Sequence, residues 1–209
     1  MVWGLGTGFC GTHLLAQTMK GLHQPEPTLV KMAPHYFRYG RSDDEHLHDA
    51  LAKLRDLDTP IVVSHKYSLV IPAIVTVDLN AKFIWLLRDP AENMRSDLRK
   101  KMYGRKSSDE WAQNRLVPKG GFPSYFNNLD KSIWRYTAIN EKIEKDLFFI
   151  CEDDWYLQES EELEGWSPPD HEDPFGYGDL PLVERQLRSL YVNLIATHGT
   201  RKTATKTEA

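Results

Sequence analysis

The ten residues Gly4-Leu5-Gly6-Thr7-Gly8-Phe9-Cys10-Gly11-Thr12-His13 constrain this chain more than any other stretch. A short apolar run, Met1-Val2-Trp3, precedes them. An apolar-periodic segment follows, with Leu15, Met19 and Leu22 at i, i+4 and i+7. The pattern predicts a strand, a glycine-rich turn and a helix. Such a turn leaves backbone N–H groups unpaired where the helix dipole favours negative charge, so a phosphate or sulfate cradle is the functional reading. The bland alternative is a tight turn between a buried strand and a helix. Four glycines within residues 4–11 exceed what a turn needs, which favours the cradle.

The remaining pattern alternates strands and helices. Thr28-Leu29-Val30-Lys31-Met32 reads as a short second strand, and Pro34 to Arg41 as an aromatic, basic loop. Ser42 and Glu45 have capping-box spacing ahead of Leu47, Ala50, Leu51 and Leu54, an amphipathic helix. Ile61-Val62-Val63 predicts a buried strand ending at Ser64-His65-Lys66, with a helix near Pro72. Lys82 to Leu87 is the strongest predicted strand. It ends at Arg88-Asp89-Pro90, with a helix running on to Met102. Residues 103–128 read as a loop or lid, and Leu129, Ile133, Tyr136, Ile139 and Ile143 as one helix face. Leu147 to Cys151 predicts another buried strand, residues 158–179 an acidic surface excursion, and Val183, Leu187, Leu190 and Leu194 a last helix.

The expected fold is therefore an α/β three-layer sandwich with a central, mostly parallel sheet of about four to five strands. Residues 1–198 are expected to form one domain, with 199–209 a frayed tail. In such sheets ligands bind beyond the carboxyl ends of the strands. That rule brings the glycine loop, Ser64-His65-Lys66, Arg88-Asp89-Pro90 and Glu152-Asp153-Asp154 to one edge. A net charge of −4 gives no reason to expect nucleic acid or an anionic membrane as partner. No apolar run is long enough to span a membrane. The two cysteines, Cys10 and Cys151, are far apart and fit a reducing, cytoplasmic setting. The acids show no metal-ligand spacing, so no metal is expected. Oligomeric state is not legible here.

Three ligands suit the loop. Gly6, Gly8 and Gly11 match G-x-G-x-x-G, as a dinucleotide-binding oxidoreductase would, but no acid ends the expected second strand to hold a ribose. Gly6 and Gly11 also have P-loop spacing, but Thr12-His13 stands where Lys-Ser/Thr is needed for the phosphates and magnesium. The third candidate is the phosphosulfate end of a nucleotide, bound without metal.

The segment Ala81 to Asp97, AKFIWLLRDPAENMRSD, resembles the signature with which sulfotransferases using 3′-phosphoadenosine 5′-phosphosulfate (PAPS) hold the nucleotide 3′-phosphate: an apolar strand, Arg, Asp-Pro, and a serine eight residues after the arginine. Arg88 and Ser96 have that spacing. Thr59 to Lys66 resembles the strand carrying that family's catalytic histidine. Gly8-Phe9-Cys10-Gly11-Thr12-His13 is similar to its 5′-phosphosulfate loop, and Phe148 to Asp154 resembles its later strand ending in Tyr-Glu-Asp. The resemblance covers roughly residues 1–155. It departs at Phe9, where the family has Lys or Arg, and at His13, which replaces a threonine. The family's C-terminal Arg-Lys-Gly has only a faint echo in Arg201-Lys202-Thr203.

What the resemblance implies is a P-loop-like sheet and sulfuryl transfer from PAPS to a hydroxyl or amine of a small-molecule or glycan acceptor. His65 would be the general base and Lys66 a cation for sulfonate or phosphate oxygens. Gly8, Phe9, Cys10, Gly11, Thr12 and His13 would form the 5′-phosphosulfate loop, and Arg88 and Ser96 would take the 3′-phosphate. Residues 35–39, 103–128 and Trp155 are placed to line an acceptor pocket or to fill the core; aromatics are more often core, so none of them is assigned. The alternatives are a Rossmann-type NAD(P)-dependent oxidoreductase and a nucleotide-binding sulfotransferase-like protein that has lost turnover, which Phe9 keeps open.

Overall fold

In the computed structural model the described residues are 1–39, 44–100, 102–103, 116–166 and 180–199. Five strands, β1 (Val2–Gly6), β2 (Leu22–His23), β3 (Ile61–Val63), β4 (Lys82–Leu87) and β5 (Trp155–Glu159), form one sheet in the order β2-β3-β1-β4-β5. Every pairing is parallel. β1 is central, with Gly4 opposite Val63 on one side and Ile84 on the other.

Side chains alternate across the pleat. Trp3, Leu5, Val62, Phe83, Trp85, Leu87 and Leu157 enter the larger core. They pack there against α2 (Pro27–Tyr39), α3 (Glu45–Arg55), α4 (Ile71–Val77), α5 (Pro90–Arg99), α6 (Asn128–Leu147) and α7 (Leu180–His198). Ile61, Val63, Ile84 and Leu86 face the other way, onto Leu15 and Ala16 of α1 (Thr12–Thr18) and onto Cys10. The expected three-layer α/β architecture is thus present, with five strands, all parallel.

Local chemistry explains the helices. The Asp44 side chain accepts from the His46 and Leu47 amides and caps α3, whose Leu47, Ala50, Leu51 and Leu54 are buried. The expected cap, Ser42, lies outside the described residues. Asn127 and Asp130 form a reciprocal capping box at the head of α6.

Five expectations give way. First, α1 stops at Thr18, and Leu22 belongs to β2 rather than the helical stripe. Lys20 turns left-handed (φ 53°), and Gly21 then passes so close to Ile61 that a Cβ would lie 2.2 Å from its Cγ2. Second, residues 28–32 are not a strand and residues 34–39 are not a loop, because both lie in α2. Pro27 starts that helix, as suits a first-turn proline. Leu29, Ala33 and Tyr36 make the buried stripe that a β-branched, proline-containing composition disguised. Third, α5 ends at Arg99, before Met102.

Fourth, the strand expected at Leu147–Cys151 is absent. Leu147 closes α6, and Phe148 and Phe149 are 80% and 81% exposed. The strand comes later, as β5. Fifth, the acidic excursion starts later than expected, since Gln158 and Glu159 are in β5 and Ser160–Glu162 form a 3-10 turn with Ser160 buried. Residues 104–115 of the expected lid, residues 167–179 of the acidic stretch, the Val183 side chain and the tail from 200, including Arg201-Lys202-Thr203, lie outside what is described.

Candidate active site at the carboxyl edge of the sheet

β1 delivers the glycine loop to the carboxyl edge, between the ends of β3 and β4. Its backbone is left-handed at Gly8 (φ 81°), Phe9 (φ 53°) and Gly11 (φ 83°). Gly8 is also glycine for space: a Cβ there would lie 2.9 Å from Arg135 Nη1 and 3.4 Å from His65 Cδ2.

Four consecutive loop carbonyls are held by side chains from elsewhere in the fold. Arg135 Nη1 donates to Thr7 O at 3.0 Å, and Asn93 Nδ2 to Gly8 O at 2.9 Å. Arg88 Nη1 donates to Phe9 O at 2.7 Å, and Ser160 Oγ to Cys10 O at 2.5 Å. A trans peptide points its N–H opposite its C=O. The chain has no cis bond among the described residues. Fixing these carbonyls therefore turns the amides of Phe9, Cys10 and Gly11 away from the clamping side chains, whereas the Gly8 amide faces the buried Cys10 sulfur. The α1 N-cap, Gly11, has no side-chain cap. No protein acceptor engages the Phe9, Cys10 or Gly11 amides among the described residues. Below the loop, Ser68 Oγ bridges the Gly6 amide and carbonyl, both at 2.8 Å.

Cys10 points inward. It is fully buried against Gly6, where a Cβ would lie 2.3 Å from its sulfur. Burial raises its pKa, against the opposing pull of the Gly8 and Thr7 backbone, Arg88 and Arg135. Its part in the loop is to fit the turn. Thr12 is buried, with its hydroxyl 3.1 Å from His23 Nε2, whereas His13 is exposed and its ring centroid lies 5.2 Å from that of His23.

β3 delivers Ser64-His65-Lys66. Ser64 continues the ladder through its N–H to Gly4 O at 3.1 Å. His65 is half-buried, with Nδ1 3.3 Å from Gln24 Nε2. Burial, then Lys66, Arg135 and His23, push its pKa well below the ordinary imidazole value. Lys66 is 6% exposed. Burial and the Arg135 charge pull its pKa from 10.5 to about 7. The expected base and cation thus both sit beside the loop, and near neutral pH the imidazole is uncharged.

Arg88 is 7% exposed and already engaged. Besides Phe9 O it faces Glu92, Nη2 to Oε2 3.7 Å, and its Nε is buried without a hydrogen-bond partner. Ser96 is buried one turn beyond Glu92 on the same face of α5, and its hydroxyl makes no hydrogen bond to Arg88. Glu92 faces Arg88 with one carboxyl oxygen and is bonded through the other to Arg95. Glu161 adds a further carboxyl nearby, accepting from Asp89 N at 3.3 Å, with its pKa raised by burial.

Several residues of this edge escaped the sequence reading: Arg135, Asn93, Asp97, Gln24, Ser68 and Ser160. A signal existed for some. Ser132, Arg135 and Asn140 lie on the buried face of α6 with Ile139 and Ile143, and polar residues on an apolar stripe ask for a reason. Asn93 and Asp97 do the same beside Met94 on α5. Gln24 and Ser160 gave none, because only the tertiary fold brings them to the loop. Glu152-Asp153-Asp154 is not at this edge: the triplet forms a 3-10 turn ahead of β5, at the opposite end of the strand.

Among the described residues no group of three or more His, Cys, Asp or Glu side chains is placed to hold a metal. None of their helices is long and apolar enough to cross a membrane. No family model matches the chain, and no curated protein does. Solved structures do match. One is a sulfotransferase domain from the curacin biosynthetic pathway, 15% identical, aligned over 94% of this chain and 73% of that one with a TM-score of 0.48.

Proposed function

We propose that this chain is a PAPS-dependent sulfotransferase, acting on a hydroxyl or amine of a small-molecule or glycan acceptor, with His65 as general base and no metal. One observation carries this reading. Side chains hold the Thr7, Gly8, Phe9 and Cys10 carbonyls and turn the Phe9, Cys10 and Gly11 amides away, beside a histidine uncharged near neutral pH and a buried lysine. Outward amides on a left-handed arc suit an oxyanion.

PAPS, when bound, supplies the sulfuryl group and a bisphosphate leaving group. The Phe9, Cys10 and Gly11 amides would hold its phosphosulfate end, with Gly8, Thr12 and His13 shaping the rim. Lys66 would charge as the anion arrives and favour its oxygens. His65 would accept the acceptor's proton. That requires Nε2 to be free and Nδ1 to carry the hydrogen. Gln24 must then present its amide oxygen to Nδ1, a half-turn of the amide. Arg88 and Ser96 would take the 3′-phosphate only if Glu92 turns aside.

The dinucleotide alternative loses its topology, because β1 lies between β3 and β4 whereas the Rossmann order places β1 beside β2. The engaged state of Arg88 favours a second reading, a domain that binds the anion without turnover. Thermal-shift titration separates these. Adenosine 3′,5′-bisphosphate should raise Tm and NAD should not, and Arg88→Ala should weaken the bisphosphate response. Stabilisation by NAD alone, or an undiminished response in Arg88→Ala, overturns the assignment. Sulfate transfer that His65→Ala leaves unchanged removes the base.

A further inference from the structure

We propose that Arg135 is the positioning cation of the glycine loop, delivered through the core by α6 to a place that a basic residue on the loop itself does not fill. This rests on the anion-binding reading of the loop given above. It adds a residue, a charge and a pH behaviour which that reading does not require.

The loop is wrapped around this guanidinium. Thr7 O accepts from Nη1, the missing side chain of Gly8 leaves room for Nη1, and the Phe9 ring lies over it with Cζ 5.0 Å from the ring centroid. Phe9 thus holds a cation against its π face instead of supplying one. The guanidinium is fixed from behind, with Nη2 2.9 Å from Asp97 Oδ2 and 3.4 Å from Asn93 Oδ1. Asn93 in turn donates to Thr7 Oγ1 at 3.0 Å and to Gly8 O. Arg135 and Asp97 side chains are 5% and 0% exposed, so the pair has no freedom to wander. The planar fork matters here, since one Nη takes the loop and the other takes α5, a division that a lysine's single ammonium cannot reproduce.

Its reach extends to the chemistry. Arg135 is the charge that, after burial, most depresses Lys66, and it also depresses His65. The other titratable groups here are His23 after α1, which depresses His65 and which His13 adjoins, Asp97 behind Arg135, Cys10, on which Arg135 also acts, and Tyr67 next to Lys66, on which Glu26 acts. Without an anion, Arg135 keeps a second full charge off Lys66. With an anion on the loop, Lys66 takes up a proton, so binding strengthens as pH falls through neutrality.

The test follows Lys66 directly by NMR titration of its side-chain ammonium in Arg135→Met, Arg135→Lys and Arg135→Met/Asp97→Met, the last removing the carboxylate that the first leaves buried alone. Adenosine 3′,5′-bisphosphate affinity is measured at pH 6.5 and 8.5 in parallel. The Lys66 midpoint should rise by at least one pH unit in both Met variants and stay low in Arg135→Lys. Wild-type affinity should fall about tenfold between the two pH values, and the Met variants should lose that dependence. An unchanged Lys66 midpoint in the folded Met variants overturns the proposal. So does an affinity loss that is equal at both pH values, which is what a purely structural arginine gives. If wild type does not bind the bisphosphate, the sulfotransferase reading falls, while the Lys66 midpoint still decides the role of Arg135.

Discussion

Lys66→Met should make the apo protein more stable, and by an amount that depends on pH. The lysine is 6% exposed and protonates at about 7 in the fold but at 10.5 in the open chain. At about 1.4 kcal/mol per pH unit, holding it charged in the fold costs about 5 kcal/mol, an upper bound of the right order. The sign follows from proton counting. Between about pH 7 and 10.5 the unfolded chain binds the extra proton, so this site's contribution to stability rises with pH across that window. Below pH 7 both states are protonated and the full penalty stands. The variant's advantage should therefore be largest at pH 6.5 and shrink by about 2.5 kcal/mol by pH 9.

Urea denaturation of both proteins at pH 6.5, 7.5, 8.5 and 9 measures this. Most other ionisations are common to both chains and cancel in the difference. A variant no more stable than wild type at pH 6.5, or a difference that stays flat to pH 9, refutes the picture of a lysine kept at the expense of stability for the sake of an anion. In the same variant, bisphosphate binding at pH 6.5 should weaken about tenfold or more, because the methionine cannot charge.

Three further outcomes follow from the geometry. Gly8→Ala puts a Cβ on a left-handed residue 2.9 Å from Arg135 Nη1, and should cost about 1–3 kcal/mol by denaturation together with most of the bisphosphate affinity by calorimetry. Glu92→Gln removes the carboxylate that faces Arg88, and should tighten bisphosphate binding several-fold without altering the response to inorganic sulfate, which has no second anionic end. Phe149→Ser should leave stability within about 0.5 kcal/mol, because its ring is 81% exposed; a core-strand phenylalanine would lose several times that.

The sheet's centre was legible because internal parallel strands are apolar on both faces. β1, β3 and β4 read as continuous runs between turns, and the order of strand, turn and helix followed from them. Its edges were not. β2 is two residues long, and β5 (Trp155–Glu159) mixes apolar with polar residues, while the more apolar Phe148-Phe149-Ile150 sits in a turn. Composition alone cannot tell an exposed aromatic knob from a core strand. α2 hid behind Pro34, which reads as a breaker although the helix carries it. The site divided in the same way. Residues at strand ends were found by topology, whereas those reaching the loop from mid-helix, Arg135, Asn93 and Asp97, are set by tertiary packing that no local pattern encodes.

The charges at the carboxyl edge are sorted, and the sorting orients any bound anion. On the β3 side stand His65, Lys66 and Arg135, with one carboxylate, Asp97, already committed to the arginine. On the β4 and β5 side Arg88 is faced by Glu92, itself paired to Arg95, with Asp89 and Glu161 nearby and Glu159 beyond them bonded to Tyr191. A single oxyanion gains on the first side and is repelled on the second. A ligand with two anionic ends has a reason to reach the second only if its far end brings enough charge to displace Glu92 from Arg88. The loop lies between the two, its carbonyls tied by Arg135 and Asn93 toward one and by Arg88 and Ser160 toward the other. Arg88 reaches both through separate nitrogens, Nη1 on Phe9 O and Nη2 toward Glu92, so one side chain joins the loop to the acidic side.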